Sequence, residues 1–216
     1  MLWPRLRILL TVTLFPLAVP SAQSYGQPQR VPTERPAKGK FLVAERHVPE
    51  PFRQSVVLLL AHQATGTVGL IVNRVTKVAL SEVLPDLKPA AKSSDAVFFG
   101  GPVALNGLMF VYRSKAPPKL ADHLLEDVYV GGDRSALEKL LEEKKRSAEL
   151  RVYLGYAGWG PGQLESEIAR GDWHVMGADA KTLFQEEVER LWPELIGRVR
   201  GTLVAHQAAG AFSLTR

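Results

Sequence analysis

From about residue 41 onward the sequence predicts one domain of mixed strands and helices, α/β or α+β, on three observations. Residues 55–61 (SVVLLLA) and 67–72 (TVGLIV) are continuous apolar runs, the mark of strands buried on both faces. Residues 134–145 set Leu137, Leu140 and Leu141 at helical spacing behind Asp133, whose carboxylate suits a helix cap. Residues 151–167 read as a strand that turns through glycines into a further helix. No internal repeat divides the chain.

Taken in order, residues 41–45 suit a first strand. The two apolar runs follow, joined by residues 62–66, a hairpin-length loop in which Gly66 supplies a positive φ. Residues 80–84 form a short helix closed by Pro85, and 97–99 a short strand before Gly100, Gly101 and Pro102. Strands are expected at 108–112 and 127–130, with a loop at 115–118 between them. After the capped helix come a strand at 151–156 and a turn at 158–162. Pro161 then opens a helix at 163–169, Leu164 and Ile168 face inward, and Gly171 ends it. A strand at 173–176 and helices at 178–184 and 186–191 complete the domain; after residue 197 no periodicity is clear.

The chain has 216 residues, 46% of them hydrophobic and 23% charged, enough to bury a core without staples. It has no cysteine, which excludes disulfides, thiolate nucleophiles, iron–sulfur clusters and cysteine-bound zinc. The formal charge of +5 invites a nucleic-acid reading. Its distribution argues otherwise. Six of the 27 basic residues and one of the 22 acidic ones lie in residues 1–40, so residues 41–216 carry 21 of each and are neutral.

Residues 1–24 read as a secretory signal peptide. Arg5 and Arg7 give a positive start, residues 8–19 an apolar run, and Ala22-Gln23-Ser24 a cleavage site before Tyr25. The run is shorter than the roughly 20 apolar residues of a membrane-crossing helix, and no cysteine follows it to carry a lipid. The other readings are a start codon assigned too early or a weak membrane-surface helix. Residues 25–39, with Pro28, Pro32 and Pro36, read as a disordered basic linker. The domain is expected at 40–198 and a tail at 199–216. Export, to the periplasm or the medium, is the expected localisation.

Motif chemistry is mostly excluded. There is no GxxxxGK[ST], no GxGxxG after a strand and no GxSxG. The histidines are His47, His62, His123, His174 and His206, no two of them four apart, so no local metal motif exists. No catalytic residue, metal or cofactor is assigned. The most informative segment is 155–167 (GYAGWGPGQLESE). Ligands of α/β proteins gather at the carboxyl ends of strands, and free helix N–H groups accept anions. Tyr156 and Trp159 offer aromatic walls; Gln163 and Glu167 share a helix face and Glu165 lies between them. The same residues also fit a structural account, with glycines for a tight turn, Trp159 in the core and acids at the positive helix end. Gly100 and Gly101 allow close backbone approach or a tight turn. Asn73 ends a buried strand and suits either anion binding or loop closure. His62 follows a long apolar run, where a hydrogen-bonded structural role competes with a binding one.

Together these segments resemble the YqgE/AlgH family of bacterial proteins. The resemblance rests on Phe41-Leu42-Val43-Ala44, on Pro51-Phe52-Arg53-Gln54-Ser55-Val56-Val57, and on His62, Gly66 and Gly69-Leu70-Ile71-Val72-Asn73. It continues through Phe99-Gly100-Gly101-Pro102-Val103, Gly155-Tyr156-Ala157-Gly158-Trp159, Gly162-Gln163-Leu164-Glu165 and Glu167, with Trp173 and Trp192 where the family tends to place tryptophan. It covers about residues 39–198. It implies an α+β fold with a small closed barrel-like β-sheet flanked by helices. It implies little chemistry, since the family has no established reaction. Some members carry a transcriptional-regulator label, yet a neutral domain without a basic recognition helix does not support direct DNA binding. Three departures stand out. Family members are generally cytoplasmic and lack a leader. Phe110-Val111-Tyr112-Arg113 stands where the family often ends the strand after GGPV with a hydrophobic–His pair, which weakens any site built on that histidine. The tail after about 200 does not match the usual ending.

The leading expectation is a non-enzymatic binding or regulatory module that holds a small ligand or protein partner near Gly100–Gly101 and the 156–167 segment. The alternatives are an enzyme using His62 with Glu165 or Glu167 as acid–base groups, and a nucleic-acid-binding regulator.

Overall fold

The computed structural model describes residues 34–143 and 149–201. The expected signal peptide, the linker up to residue 33 and the tail from residue 202 lie outside the described residues. Ten strands are described: β1 (Lys40–Ala44), β2 (Val56–Gln63), β3 (Gly66–Ile71), β4 (Val75–Ala79), β5 (Ala96–Phe99), β6 (Val103–Arg113), β7 (Asp122–Leu125), β8 (Val128–Gly131), β9 (Leu150–Trp159) and β10 (Trp173–Gly177). The helices are α1 (Leu80–Val83), α2 (Arg134–Glu142), α3 (Gln163–Arg170), α4 (Ala180–Leu183) and α5 (residues 191–201).

The sheet runs in the order β10-β1-β2-β3-β9-β6-β8-β7, with β5 attached to β9 and β4 to β5. The expected closed, barrel-like sheet is therefore corrected. Closure needs the two terminal strands to pair. Among the described residues β10 pairs with β1 alone and β7 with β8 alone, so the path is open. The sheet also branches. The first half of β9 takes β5 in parallel at Tyr153 and Leu154, and its last residues take β3 antiparallel at 157–159. β6 runs along its other side.

Period-two alternation sorts the strands into cores on opposite faces. Phe41, Val43, Val56, Leu58, Leu60, Leu70, Val111, Val128 and Tyr153 join a central cluster that Leu183, Leu191, Leu195 and Ile196 complete. Their chain neighbours Leu42, Ala44, Val57, Leu59 and Ile71 form a second cluster under α3, with Trp159, Leu164 and Trp173. On β6, β8 and β9, Phe110, Tyr112, Tyr129, Leu150 and Val152 form a third with Leu80 of α1 and Leu137 and Leu140 of α2. Apolar residues at successive positions, as at Val56 to Leu60 of β2, are what a strand between two cores requires.

Most strands match the sequence reading, and the differences have local causes. β4 and β7 are additional; both are short and largely exposed, so neither carries an apolar run. The 62–66 loop shrinks to Ala64-Thr65, because His62 pairs with Thr67 and Gln63 with Gly66. Gly158 and Trp159 are strand and not turn, held by Val68 and Thr67. Pro161 precedes the helix it was expected to open, since Gly162 at φ 72° is the residue before α3. Asp133 caps α2 as expected, accepting from the Ala136 N–H at 2.9 Å.

Candidate functional site

Eight of the nine predicted site residues fall into three groups. Gly100 and Gly101 meet Gly155 and Tyr156 where β9 exchanges β5 for β3. A Cβ on Gly101 (φ 150°) would lie 2.2 Å from the Tyr156 carbonyl carbon, and one on Gly100 2.3 Å from the Gly155 oxygen. Gly100 donates to the Leu154 carbonyl and accepts from the Ile71 N–H, both at 2.8 Å. These glycines let backbone cross backbone, and the strand crossing fills the space beside them. Asn73 stands apart. It accepts from the Val56 N–H at 2.8 Å and donates to the Gln54 carbonyl at 2.9 Å, which holds the turn where Gln54 takes φ 54°.

Trp159, Gln163 and Glu167 do converge. Glu167 Oε2 accepts from the indole N–H groups of Trp159 and Trp173, each at 2.8 Å. Its Oε1 accepts from the Gln163 amide at 2.9 Å, while Gln163 accepts from the Gly160 N–H at 3.0 Å. Phe52 stacks on Trp159 at 5.9 Å and meets Trp173 edge-on at 5.6 Å. One carboxylate thus ties α3 to β9 and β10, and both of its oxygens are engaged. The i,i+4 pair was legible in the sequence; Trp173 and Phe52 join it only once β10 and the 46–54 loop are placed.

His62 is the third group. Its Nδ1 lies 2.8 Å from Thr67 Oγ1, and its Nε2 3.4 Å from Glu165 Oε1. Hydroxyl, imidazole and carboxylate stand in the order of a hydrolytic relay, which no local motif announced. Thr67 is only 4% exposed, however, in the middle of the sheet, so a substrate carbonyl has poor access to its hydroxyl.

Another feature escaped the sequence reading altogether. β5 and β9 pair at Phe98–Tyr153 and Phe99–Leu154, and before that point they part. The gap is a cavity of about 470 Å³, within the usual range for small-ligand sites. Asp95 and Ala96 lie on one side and Leu150 to Val152 on the other, with Phe184 and Val188 closing it. Arg151 lines it at 4% exposure. Its terminal nitrogens donate to the carbonyls of Leu183 at 2.7 Å and Gln185 at 2.6 Å, at the end of α4. Its guanidinium lies 5.1 Å from the Phe98 ring centre and 5.5 Å from that of Phe184. Among the described residues, Arg151 Nε and the buried Tyr153 hydroxyl make no hydrogen bond of good geometry, although the Arg151 side chain lies against the phenol. Burial pushes the Tyr153 phenol up to about 12, against the charge and hydrogen-bonding pull of the adjacent Arg151.

An open, branched mixed sheet with short helices packed on it defines the class of protein, an α+β fold with an internally tied corner at α3. The particular family follows from comparison: residues 41–204 match the AlgH-like family profile, and the chain belongs to that family. A UPF0301 protein of Streptomyces avermitilis is 36% identical over 171 residues, covering 76% of this chain and 88% of that one. A UPF0301 protein of Cytophaga hutchinsonii is 32% identical over 167 residues, covering 76% and 90%. Among solved structures, the AlgH protein of Pseudomonas aeruginosa aligns with a TM-score of 0.64 at 26% identity, covering 78% of this chain and 93% of that one. A protein of Corynebacterium diphtheriae aligns at 0.62 and 25%, covering 78% and 90%.

Proposed function

We propose that this AlgH-like chain is a non-enzymatic module that binds a small ligand, and that the ligand sits in the cleft where β5 and β9 part. One observation carries the reading: the cavity of about 470 Å³ has apolar walls and a buried arginine beside it. A fold by itself does not select a function, whereas a site with these walls selects a kind of ligand. The Glu167 corner supports the reading by contrast, because its polar groups satisfy one another and leave little to offer a ligand. A second reading, an enzyme acting through His62 and Glu165, is favoured by the Thr67–His62–Glu165 contacts alone.

One experiment separates them. A metabolite library is screened against the full chain by thermal shift, and each compound that stabilises it is also assayed for turnover. The expected result is stabilisation without product, lost in Ala96→Leu, which narrows the cavity. Product formation that survives Ala96→Leu and vanishes in His62→Gln would transfer the assignment to the second reading. A library without hits would remove the binding reading.

A further inference from the structure

We infer that the groove between α2 and the 114–121 loop is a second small-molecule site, that it takes an oxyanion carried on an apolar ring or short chain, and that the Tyr112 hydroxyl donates to the oxyanion. The site is separate from the β5–β9 cleft and goes beyond the reading above.

The groove follows from the helical period. Ala136, Lys139, Leu140 and the capping Glu143 recur three and four residues apart, so they share one face of α2. Opposite them the chain leaves β6 and runs through Pro118, Lys119 and Leu120 before β7. The space between is a cavity of about 330 Å³, at the small end of the range for ligand sites. Leu141 of the same helix lines the β5–β9 cleft instead, so α2 serves two separate cavities.

Tyr112 supplies the open polar group. Period two on β6 turns Phe110 and Tyr112 towards α2, into the cluster of Leu137 and Leu140. Tyr112 is 3% exposed and yet lines the cavity. Its hydroxyl has no hydrogen-bond partner among the described residues. The unpartnered side-chain atoms that solvent does not reach there are Asp127 Oδ1, Arg151 Nε and the Tyr153 hydroxyl. That of Tyr112 is not one of them, so its ring is buried and its hydroxyl opens on the cavity. Burial pushes this phenol up, and Tyr129 and Glu143 add to the effect, so it is a protonated donor at neutral pH. The serine hydroxyls of the lining are already engaged. Ser114 donates to the Ala116 carbonyl at 2.7 Å and Ser135 to Asp133 at 2.6 Å.

Charge and apolar surface together choose the ligand. Lys119 and Lys139 stand exposed at the rim, and neither forms an ion pair among the described residues. Against them the lining sets one carboxylate, that of the exposed Glu143. A phenol donor and two ammonium groups around one small cavity suit an oxyanion, carboxylate or phosphate, through charge-assisted bonds. Pro118, Ala136 and Leu140 supply apolar wall, and Leu120, 61% exposed, leaves a large apolar side chain in water at the lip. An organic body covers that surface and gains hydrophobic free energy. An inorganic anion forfeits the gain, and an amine meets two like charges.

Isothermal titration of the full chain with phenylacetate, phenyl phosphate, benzyl alcohol and inorganic phosphate tests this. Both organic anions are expected to bind at least about tenfold more tightly than benzyl alcohol, the worth of one hydrogen bond to a charged group, and inorganic phosphate not to bind measurably. Phenyl phosphate tighter than phenylacetate assigns the site to phosphate monoesters; the reverse order or equality assigns it to carboxylates. Tyr112→Phe keeps the ring and its packing 5.8 Å from Phe110 and 6.1 Å from Tyr129. It should weaken both anions about tenfold and benzyl alcohol by less. Ala136→Leu keeps a good helix former and narrows the groove; it should abolish binding in a protein with an unchanged unfolding transition. Ala96→Leu, which narrows the β5–β9 cleft, should leave every affinity as it was. Anion binding that survives Ala136→Leu, or is lost in Ala96→Leu, would place the ligand outside the groove and overturn the inference. Binding abolished by Ala136→Leu but undiminished in Tyr112→Phe would overturn the role of the hydroxyl. Benzyl alcohol binding as tightly as the anions would overturn the oxyanion class. Binding of none of the four overturns the inference entirely, and the library screen then decides the β5–β9 reading by itself.

Discussion

The two ends of β9 solve the problem of buried polar groups in opposite ways. At Trp159 one carboxylate answers two indoles and an amide, and α3 folds back to bring it there. At Arg151 and Tyr153 a guanidinium nitrogen and a phenol are buried side by side without a well-formed hydrogen bond. The strand is the same and the sequence around both sites is equally dense in aromatic residues. The Trp159 end was the more conspicuous in sequence, with its glycines, Trp159 and the Gln163–Glu167 spacing, but its groups have already found each other. Conspicuous composition and open chemistry are separate properties, and polar satisfaction distinguishes them.

The largest expected effect tests the satisfied end. Glu167→Ala leaves the Trp159 and Trp173 N–H groups buried and unpaired, at 5% and 2% exposure, and frees the Gln163 amide. Each stranded donor costs on the order of 1–3 kcal/mol, so a loss of about 3 kcal/mol in urea unfolding is expected. Glu167→Gln keeps one acceptor oxygen and should lose less. A change below about 1 kcal/mol in Glu167→Ala would show that the corner is not a structural tie.

Much of this fold was legible because β2 and β3 lie between two cores, so every position from Val56 to Leu60 is apolar. β4 and β7 were not legible, since VTKVA and DHLL lie on exposed edges where alternation is lost. An open sheet cannot be told from a closed one by strand patterns, because closure is a matter of which ends pair. The site divides the same way. Gln163 and Glu167 meet within one helix and could be read from spacing. The surroundings of Arg151 come from β5 and α4, more than thirty residues away on the second count. The only local trace was an arginine alternating with Tyr153 on one face of an otherwise apolar strand.

A smaller effect concerns acid. Burial would raise the Glu45 carboxyl, but hydrogen bonds from the Arg46 N–H, His174 and Arg200 outweigh it and hold the group at about 2, against 4.5 ordinarily. A depressed carboxyl contributes stability that is complete above pH 4.5 and is lost as pH falls from there towards 2. The contribution is about 2–3 kcal/mol. Unfolding followed from pH 7 to pH 2 should therefore show a downward limb below 4.5 that flattens in Glu45→Gln. Arg151→Met should leave that limb unchanged, because a guanidinium does not titrate there. An acid limb unchanged in Glu45→Gln would show that these hydrogen bonds do not hold the Glu45 carboxyl down.

The smallest expected effect tests the unsatisfied end. Tyr153→Phe removes a buried hydroxyl that makes no well-formed hydrogen bond, and keeps the ring that packs 5.2 Å from Phe98. Deleting a satisfied buried hydroxyl costs about 1 kcal/mol or more, since its partner is stranded, whereas deleting an orphaned one removes only a desolvation penalty. Stability in urea should therefore stay within about 0.5 kcal/mol of the parent or rise. At neutral pH the charge state cannot confound the comparison, because the phenol, pushed up to about 12, is protonated there. A loss above about 1 kcal/mol would mean that the hydroxyl is answered in solution. The two ends of β9 would then differ in how their polar groups are satisfied and not in whether they are.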